Sequence, residues 1–240
     1  MNNRSFAFVC AVTLAACLLG MIQPASAAGF GIQPIRQVLT PEAPVGQFTI
    51  TSAEDAPVQF QVFEKRWVQV GGKDVLEDTR DLLVVPPIFT VFPFGPQLFR
   101  VGLRGSVKMG PVEQTYRVLV REVPSKVNLK GPTIQIARQF SMPIFVPPLK
   151  TNPQMPVFTI VQHGNKSTLK VVNSGNVHAL IGKATLVADG KTLTVGNFGY
   201  VLAGQTRTMT LQSFPVLHGS GTIQYFDEGG AEKAPVSIMP

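Results

Sequence analysis

The chain has 240 residues, 45% of them hydrophobic and 15% charged, which suits packed cores and excludes an intrinsically disordered protein. Its length allows one large or two medium domains. The net charge is +7, but the lysines and arginines are scattered with no run of four. A solvated basic surface suited to an anionic group on a partner therefore fits better than a nucleic-acid interface.

The chain opens on MNNR, a short start carrying Arg4. The apolar run FAFVCAVTLAACLLGMI follows, then Pro24 and the small residues Ala25, Ser26 and Ala27. That order reads as a secretory signal over residues 1–28, with cleavage expected after Ala27 or Ala28. Leu14-Ala15-Ala16-Cys17 also matches a lipoprotein box. The LLGMI after Cys17 is apolar, however, where a lipidated cysteine opens a polar tether. The apolar run is short of a full membrane span. Cys10 and Cys17 are the chain's two cysteines, and both lie in the leader. The mature chain then enters an oxidising compartment without disulfides, and thiol catalysis and cysteine metal sites are excluded. Its stability has to come from burial, which about 210 residues can supply.

Short strands follow, punctuated by 20 prolines and 22 glycines. IQPIRQVLT (32–40), GQFTIT (46–51) and PVQFQVFEKRWVQV (57–70) come first, the last ending at Gly71-Gly72. LLVVPPIFTVFPF (82–94) is broken by Pro86-Pro87 and Pro93, which predicts one or two edge-type strands or a strand that switches sheets. QLFRVGLRG (97–105) and TYRVLVREV (115–123) are clear strands, and the polar stretch from Pro124 to Pro132 is a loop. TIQIARQFSMPIFVPP (133–148) alternates apolar residues at Ile134, Ile136, Phe140, Met142, Ile144 and Val146, with Arg138 breaking the row. Period two marks a strand with one face in a core. A long, apolar, weakly charged strand is also an aggregation hazard if its edge is exposed.

After Lys150 the pattern restarts. MPVFTIVQ (155–162), STLKVVN (167–173), HALIGKATLVA (178–188), KTLTVGN (191–197), TRTMTLQ (206–212), GTIQYFD (221–227) and PVSIM (235–239) recur at intervals of about ten residues, as in a β-sandwich. No long segment carries a helical period. The predicted fold is all-β, with two immunoglobulin-like β-sandwich domains in tandem over residues 29–149 and 150–240.

No catalytic pattern accompanies these strands. G-x-S-x-G, H-E-x-x-H and phosphate-cradling glycine loops are absent. His163, His178 and His218 are far apart and read as structural rather than metal-ligating. Asp55, Asp74, Asp78, Asp81 and Asp227 sit in turn contexts. Trp67, in EKRWVQV, reads as a core or inter-sheet residue. These residues point to a protein that is not an enzyme and uses no cofactor or metal.

The mature chain resembles the PapD-like periplasmic pilus chaperones of the chaperone–usher pathway. In the first half the resemblance rests on PIRQVLT (34–40), PVQFQVFEKRWVQ (57–69), PPIFTVFPFGPQLFRV (86–101), EQTYRVLVREVP (113–124) and TIQIARQFSMPIFVPP (133–148). In the second half it rests on LKVVNSGNVHALI (169–181), GYVLAGQTRTMTL (199–211) and YFDEGG (225–230). SMPIFVPP and YRVLVREVP look nearest to the archaic or alternative branch.

The resemblance implies a periplasmic assembly chaperone. Such a protein captures pilus subunits that lack their last strand, inserts its own strand by donor-strand complementation, and hands them to an outer-membrane usher. It implies that Ile134 and Ile136 are donor positions in a strand that continues through Arg138 and Phe140. Arg138 falls where a third apolar donor belongs. From the residues alone, Ile134 and Ile136 equally fill the sandwich core, and that reading stays open. The resemblance further implies a pair of cations for a subunit's terminal carboxylate. Arg36 fits the arginine, and the lysine position falls on Pro143. Arg117 is the candidate replacement, while Arg100 and Arg121 are expected to pair internally with Glu64, Glu113 or Glu122. Self-association through the exposed strand is a further implied contact.

Two rival classes are a structural pilus subunit or adhesin and a carbohydrate-binding sandwich module. Two sandwiches without mature cysteine speak against the first. One Trp and three Tyr, with phenylalanine supplying most aromatics, speak against the second.

Overall fold

The computed structural model describes residues 29–105, 107–124, 136–164, 166–212 and 214–240. The predicted signal segment and Ile134 lie outside the described residues. Every regular element among these residues is a strand. In the first half these are β1 (Phe30–Gln33), β2 (Gln37–Val38), β3 (Val45–Ser52), β4 (Val58–Val70), β5 (Lys73–Asp78), β6 (Leu82–Val85), β7 (Ile88–Val91), β8 (Pro96–Leu103), β9 (Gln114–Glu122) and β10 (Gln139–Val146). In the second half they are β11 (Val157–His163), β12 (Lys166–Val172), β13 (Ala179–Ala188), β14 (Lys191–Val201), β15 (Thr206–Leu211), β16 (Ser220–Phe226) and β17 (Ala231–Met239).

The first ten strands make two sheets. One has the order β1-β3-β8-β6, and the other β2-β10-β9-β4-β5 with β7 also on β4. Alternate residues of both meet in one core. Phe48, Ile50, Phe99 and Val101 come from one sheet, and Phe60, Val62, Tyr116, Val118 and Ile144 from the other. Tyr116 is buried there, and its hydroxyl donates to Asp81 at 2.9 Å.

Two sequence expectations change, and one open alternative is decided. The strand expected over 32–40 is split: β1 pairs with β3 while β2 runs parallel to β10. Pro34, without an N–H, falls between them and frees the chain to cross from one sheet to the other. The run 82–94 takes its sheet-switching alternative across Pro86-Pro87, with β6 on β8 and β7 on β4. β5 was not expected at all, because KDVLED is exposed along its whole length and carries no apolar alternation. It forms because Gly71 and Gly72, at φ 58° and 77°, make a two-residue turn that folds the chain back onto β4.

The second half forms one seven-stranded ladder in the order β14-β13-β16-β17-β11-β12-β15. It closes over a core containing Phe158, Ile160, Leu169, Val171, Ile181, Leu186, Val201, Ile223 and Val236. The two cores share no residue. A third, smaller cluster joins the halves: Trp67 and Phe145 from the first pack with Leu202 and Tyr200 from the second.

Candidate functional site

β10 explains why FSMPIFVPP is so apolar. Met142, Ile144 and Val146 point into the first core. Phe145, on the opposite face, packs between Trp67, Tyr200 and Leu202. Its end near the second half is therefore covered on both faces. The other end is not. β9 pairs with the strand along its whole length, from Gln139 opposite Arg121 to Val146 opposite Gln114. β2 takes the other edge only at Ile144 and Phe145. Over Gln139–Pro143 that edge has no strand partner among the described residues.

The predicted donor positions separate here. The expected strand over 133–148 becomes β10 over Gln139–Val146, and Ile136 and Arg138 precede it. Ile136 is 80% exposed, so the core-filling reading does not hold for that residue. Arg138 is tied down. Its guanidinium pairs with Glu54 and with Glu122 Oε2 at 2.8 Å, and lies 4.4 Å from the centre of the Phe30 ring. Its carbonyl accepts from the Glu122 N–H at 2.9 Å, so backbone pairing reaches one residue beyond the strand. Phe140 is half-buried against Phe30 and Phe60.

A cluster of cations and aromatics lies where the halves meet. Arg117, on β9, stacks its guanidinium 3.7 Å from the centre of the Trp67 ring and 5.7 Å from that of Tyr200. Such stacking of a desolvated guanidinium is favourable. Burial holds Arg117 below its ordinary pKa, with Asp74 and Tyr200 opposing and Arg207 adding to the effect. Among the described residues no carboxylate comes within ion-pair distance of it. Arg117 stands directly across from Pro143 in the antiparallel register, so both side chains share one face of the sheet.

Arg36, between β1 and β2, pairs with Glu228 of the turn between β16 and β17. Burial and Glu228 push the Tyr200 phenol up, while Arg36 and Arg117 act in the opposite sense. The fold thus gathers Arg36 and Arg117 around Tyr200. Arg100 and Arg121 stay outside this group, and neither forms the expected internal ion pair among the described residues. Arg121 donates to Gln139 at 3.0 Å and lies over Phe63. Glu113 and Glu122 are occupied by His178 and Arg138.

Gln69 and Asn176, which the sequence did not single out, fix the cleft together with His178, read from the sequence as structural. Gln69, 5% exposed, donates to Asp74 at 2.8 Å and to the Tyr200 carbonyl at 2.9 Å, and accepts from the Leu202 N–H at 2.9 Å. His178 lies between Glu113 (Nδ1, 2.8 Å) and Glu228 (Nε2, 3.2 Å) and stacks on Phe145 with centroids 3.7 Å apart. Burial is the largest single influence on its ring and opposes charge. Glu113 and Glu228 together outweigh it, and the pKa is raised. Asn176 donates to the carbonyls of Pro111 and Lys150 at 2.9 and 2.8 Å. The arrangement is a hydrogen-bonded junction that holds Arg36 and Arg117 among aromatic rings, beside a strand edge open among the described residues. Among the described residues no cluster of three or more side chains is arranged to hold a metal ion.

Comparison with known proteins agrees with this fold. Residues 29–152, more than half of the chain, match the model of the PapD N-terminal domain, described as a pili and flagellar-assembly chaperone. No curated protein matches the chain. Among solved structures, the complex of the chaperone CsuC with the tip adhesion subunit CsuE, from archaic Csu pili of Acinetobacter baumannii, aligns with a TM-score of 0.64 at 21% identity. The alignment covers 89% of this chain and 100% of the other. The Escherichia coli chaperone DraB aligns with a TM-score of 0.60 at 17% identity, covering 88% and 97%. The Salmonella enterica complex of SafA pilin with the SafB chaperone gives 0.60 at 18% identity, covering 90% and 98%. At these identities the likeness is one of fold.

Proposed function

This chain belongs to the pili and flagellar-assembly chaperone family, and from that membership we propose that it works in the periplasm as a non-enzymatic chaperone for pilus subunits. It stabilises a subunit by donor-strand complementation and passes it to an outer-membrane usher. Residues 29–149 supply the donor strand, and residues 150–240 form the second wall of the cleft. A subunit lacking its last strand exposes backbone N–H and C=O groups and an apolar groove, both costly in water. An added strand satisfies the backbone and fills the groove with alternate side chains.

The observation that carries this reading is the edge of β10 over Gln139–Pro143, which has no strand partner among the described residues, continued by an 80% exposed Ile136. An open edge on so apolar a strand is a template for pairing with another chain. Ile134 and Ile136 would enter the groove, with Phe140, half-buried against Phe30 and Phe60, and Arg138, held by Glu54 and Glu122, at its entrance. Arg36 and Arg117 would anchor the subunit's terminal carboxylate. Arg117 suits this role because it stands opposite Pro143, the position where the resembling family carries its lysine. Charge-assisted contacts there would set the register of the added strand. Without a subunit, the same edge is open to a second copy of the chain. Release to the usher needs no nucleotide, since exchange for a better-packed subunit strand supplies the free energy.

The test compares tagged wild type with Ile134→Asp/Ile136→Asp in a periplasmic co-purification. A pilus subunit, identified by mass spectrometry, should accompany the wild type and be lost from the folded double variant, because a carboxylate in an apolar groove costs about 3–5 kcal/mol. Retention of the subunit by the folded variant would refute donation of this strand.

A further inference from the structure

We infer that Glu228 is a resident carboxylate that occupies the Arg36 anchor until a partner's terminal carboxylate displaces it. This deepens the anchor reading given above and rests on it. Arg36 lies in the first half, between β1 and β2, and Glu228 in the second half, between β16 and β17. Their ion pair spans the cleft. The two side chains are 35% and 31% exposed, so water and a competing carboxylate can reach the pair. An ion pair of this exposure is weak.

Glu228 also has a second partner ready. His178 Nε2 lies 3.2 Å from the carboxylate oxygen that pairs with Arg36. The other ring nitrogen is held by Glu113 at 2.8 Å, and the ring is stacked on Phe145. The imidazole therefore has a fixed position from which to keep Glu228 after Arg36 lets go. The turn carrying Glu228 stays in place independently. The Asp227 carboxylate accepts from the N–H groups of Gly229 and Gly230 at 2.6 and 2.9 Å, and the Asp227 N–H donates to the Gly230 carbonyl at 2.8 Å. Displacement then needs only a rotation of one side chain.

Arg117 completes the case. Its guanidinium lies 5.7 Å from the centre of the Tyr200 ring and has no carboxylate partner among the described residues. Of the two candidate anchor guanidiniums, Arg36 and Arg117, the fold thus fills the first with its own carboxylate, while the neighbouring Arg207 is engaged by Asp74 and the Tyr200 carbonyl. Glu228 sets a threshold on Arg36. A ligand with a carboxylate displaces it, whereas a neutral chain end leaves Arg36 paired and gains no contact there. Glu228 on this account discriminates a chain terminus from a strand passing through the cleft.

The experiment titrates the full mature chain with N-acetyl-phenylalanine and, separately, with its amide, following the fluorescence of Trp67 and the NMR resonances of the arginine side chains. Wild type, Glu228→Gln and Arg36→Ala are compared. Gln keeps the neutral hydrogen bond to His178 and removes the competing charge. Glu228→Gln should bind the acid about two- to fivefold more tightly than wild type, the amount expected from losing one exposed ion pair, with no gain for the amide. Arg36→Ala should lose the preference for the acid. Equal affinity of wild type and Glu228→Gln, with Arg36→Ala still impaired, overturns the inference and leaves the anchor standing. No difference between acid and amide in any of the three proteins overturns the anchor and the inference together. Failure of Glu228→Gln to bind the acid saturably also overturns the inference, since a vacated Arg36 that takes no carboxylate was not held for one.

Discussion

Replacing Gln69 with leucine isolates its share of the hydrogen bonds between the two halves. The side chain is similar in size, so packing is little changed. Its donor bonds are both backed up: the Tyr200 carbonyl still accepts from Arg207 at 2.7 Å, and Asp74 still accepts from Trp67 Nε1 at 2.9 Å. The Leu202 N–H is the group left without a partner among the described residues, in a residue only 5% exposed. One orphaned buried donor costs about 1–3 kcal/mol. For a chain of this size that corresponds to a fall in Tm of about 2–12 °C. Thermal unfolding followed by circular dichroism reads the total, and the fluorescence of Trp67, the single tryptophan, reads the junction. A Gln69→Leu variant with unchanged Tm and emission would refute the assignment of Gln69 as a hydrogen-bonding link between the halves.

His178 links stability to pH. Its folded pKa is raised above the unfolded value of about 6.5. The stability it contributes is therefore fully present below that value and is lost as pH rises through the folded pKa. His178→Gln should flatten this decline, which denaturant titrations at a series of pH values measure. Gly72→Ala should destabilise more than Gly71→Ala. Both residues have positive φ, a cost of about 1 kcal/mol for alanine. A Cβ on Gly72 also lies 3.2 Å from the Thr206 carbonyl oxygen, whereas nothing lies within 4 Å of one on Gly71. Thermal unfolding of the two variants distinguishes them. Ile144→Asp should prevent folding of the first half, since Ile144 is fully buried and an unpaired buried carboxylate costs several kcal/mol. Ile136→Asp should leave stability within about 0.5 kcal/mol of wild type, as chemical denaturation will show.

The strands of the second half were legible because each carries apolar alternation between glycine-rich turns, and period two has one structural meaning there. β5 was hidden because Lys73–Asp78 faces water on both sides. The run from Met142 to Pro148 was misleading in another way. It reads as one buried face of a strand, whereas Met142, Ile144 and Val146 fill the first core and Phe145 fills the junction with the second half. The sequence contains no mark of that second face. Arg36 and Arg117 were found through resemblance, yet their convergence on Tyr200 depends on how the halves dock. Glu113 and Glu228 lie 65 and 50 residues from His178 in the chain, so no local spacing announces the three as a group. The standing of Ile136 also depended on the fold, since alternation assigned it to a face without saying whether anything covered that face.

Backbone hydrogen exchange over residues 136–143, measured for the free protein and for its complex with the co-purified subunit, tests strand donation most directly. If this segment is the donor, the outward-facing amides of the β10 edge exchange quickly in the free protein and become strongly protected in the complex. Amides of β9 and of the second half's core should change little. Exchange over 136–143 that is the same with and without the subunit would contradict strand donation and place the subunit elsewhere on the chain.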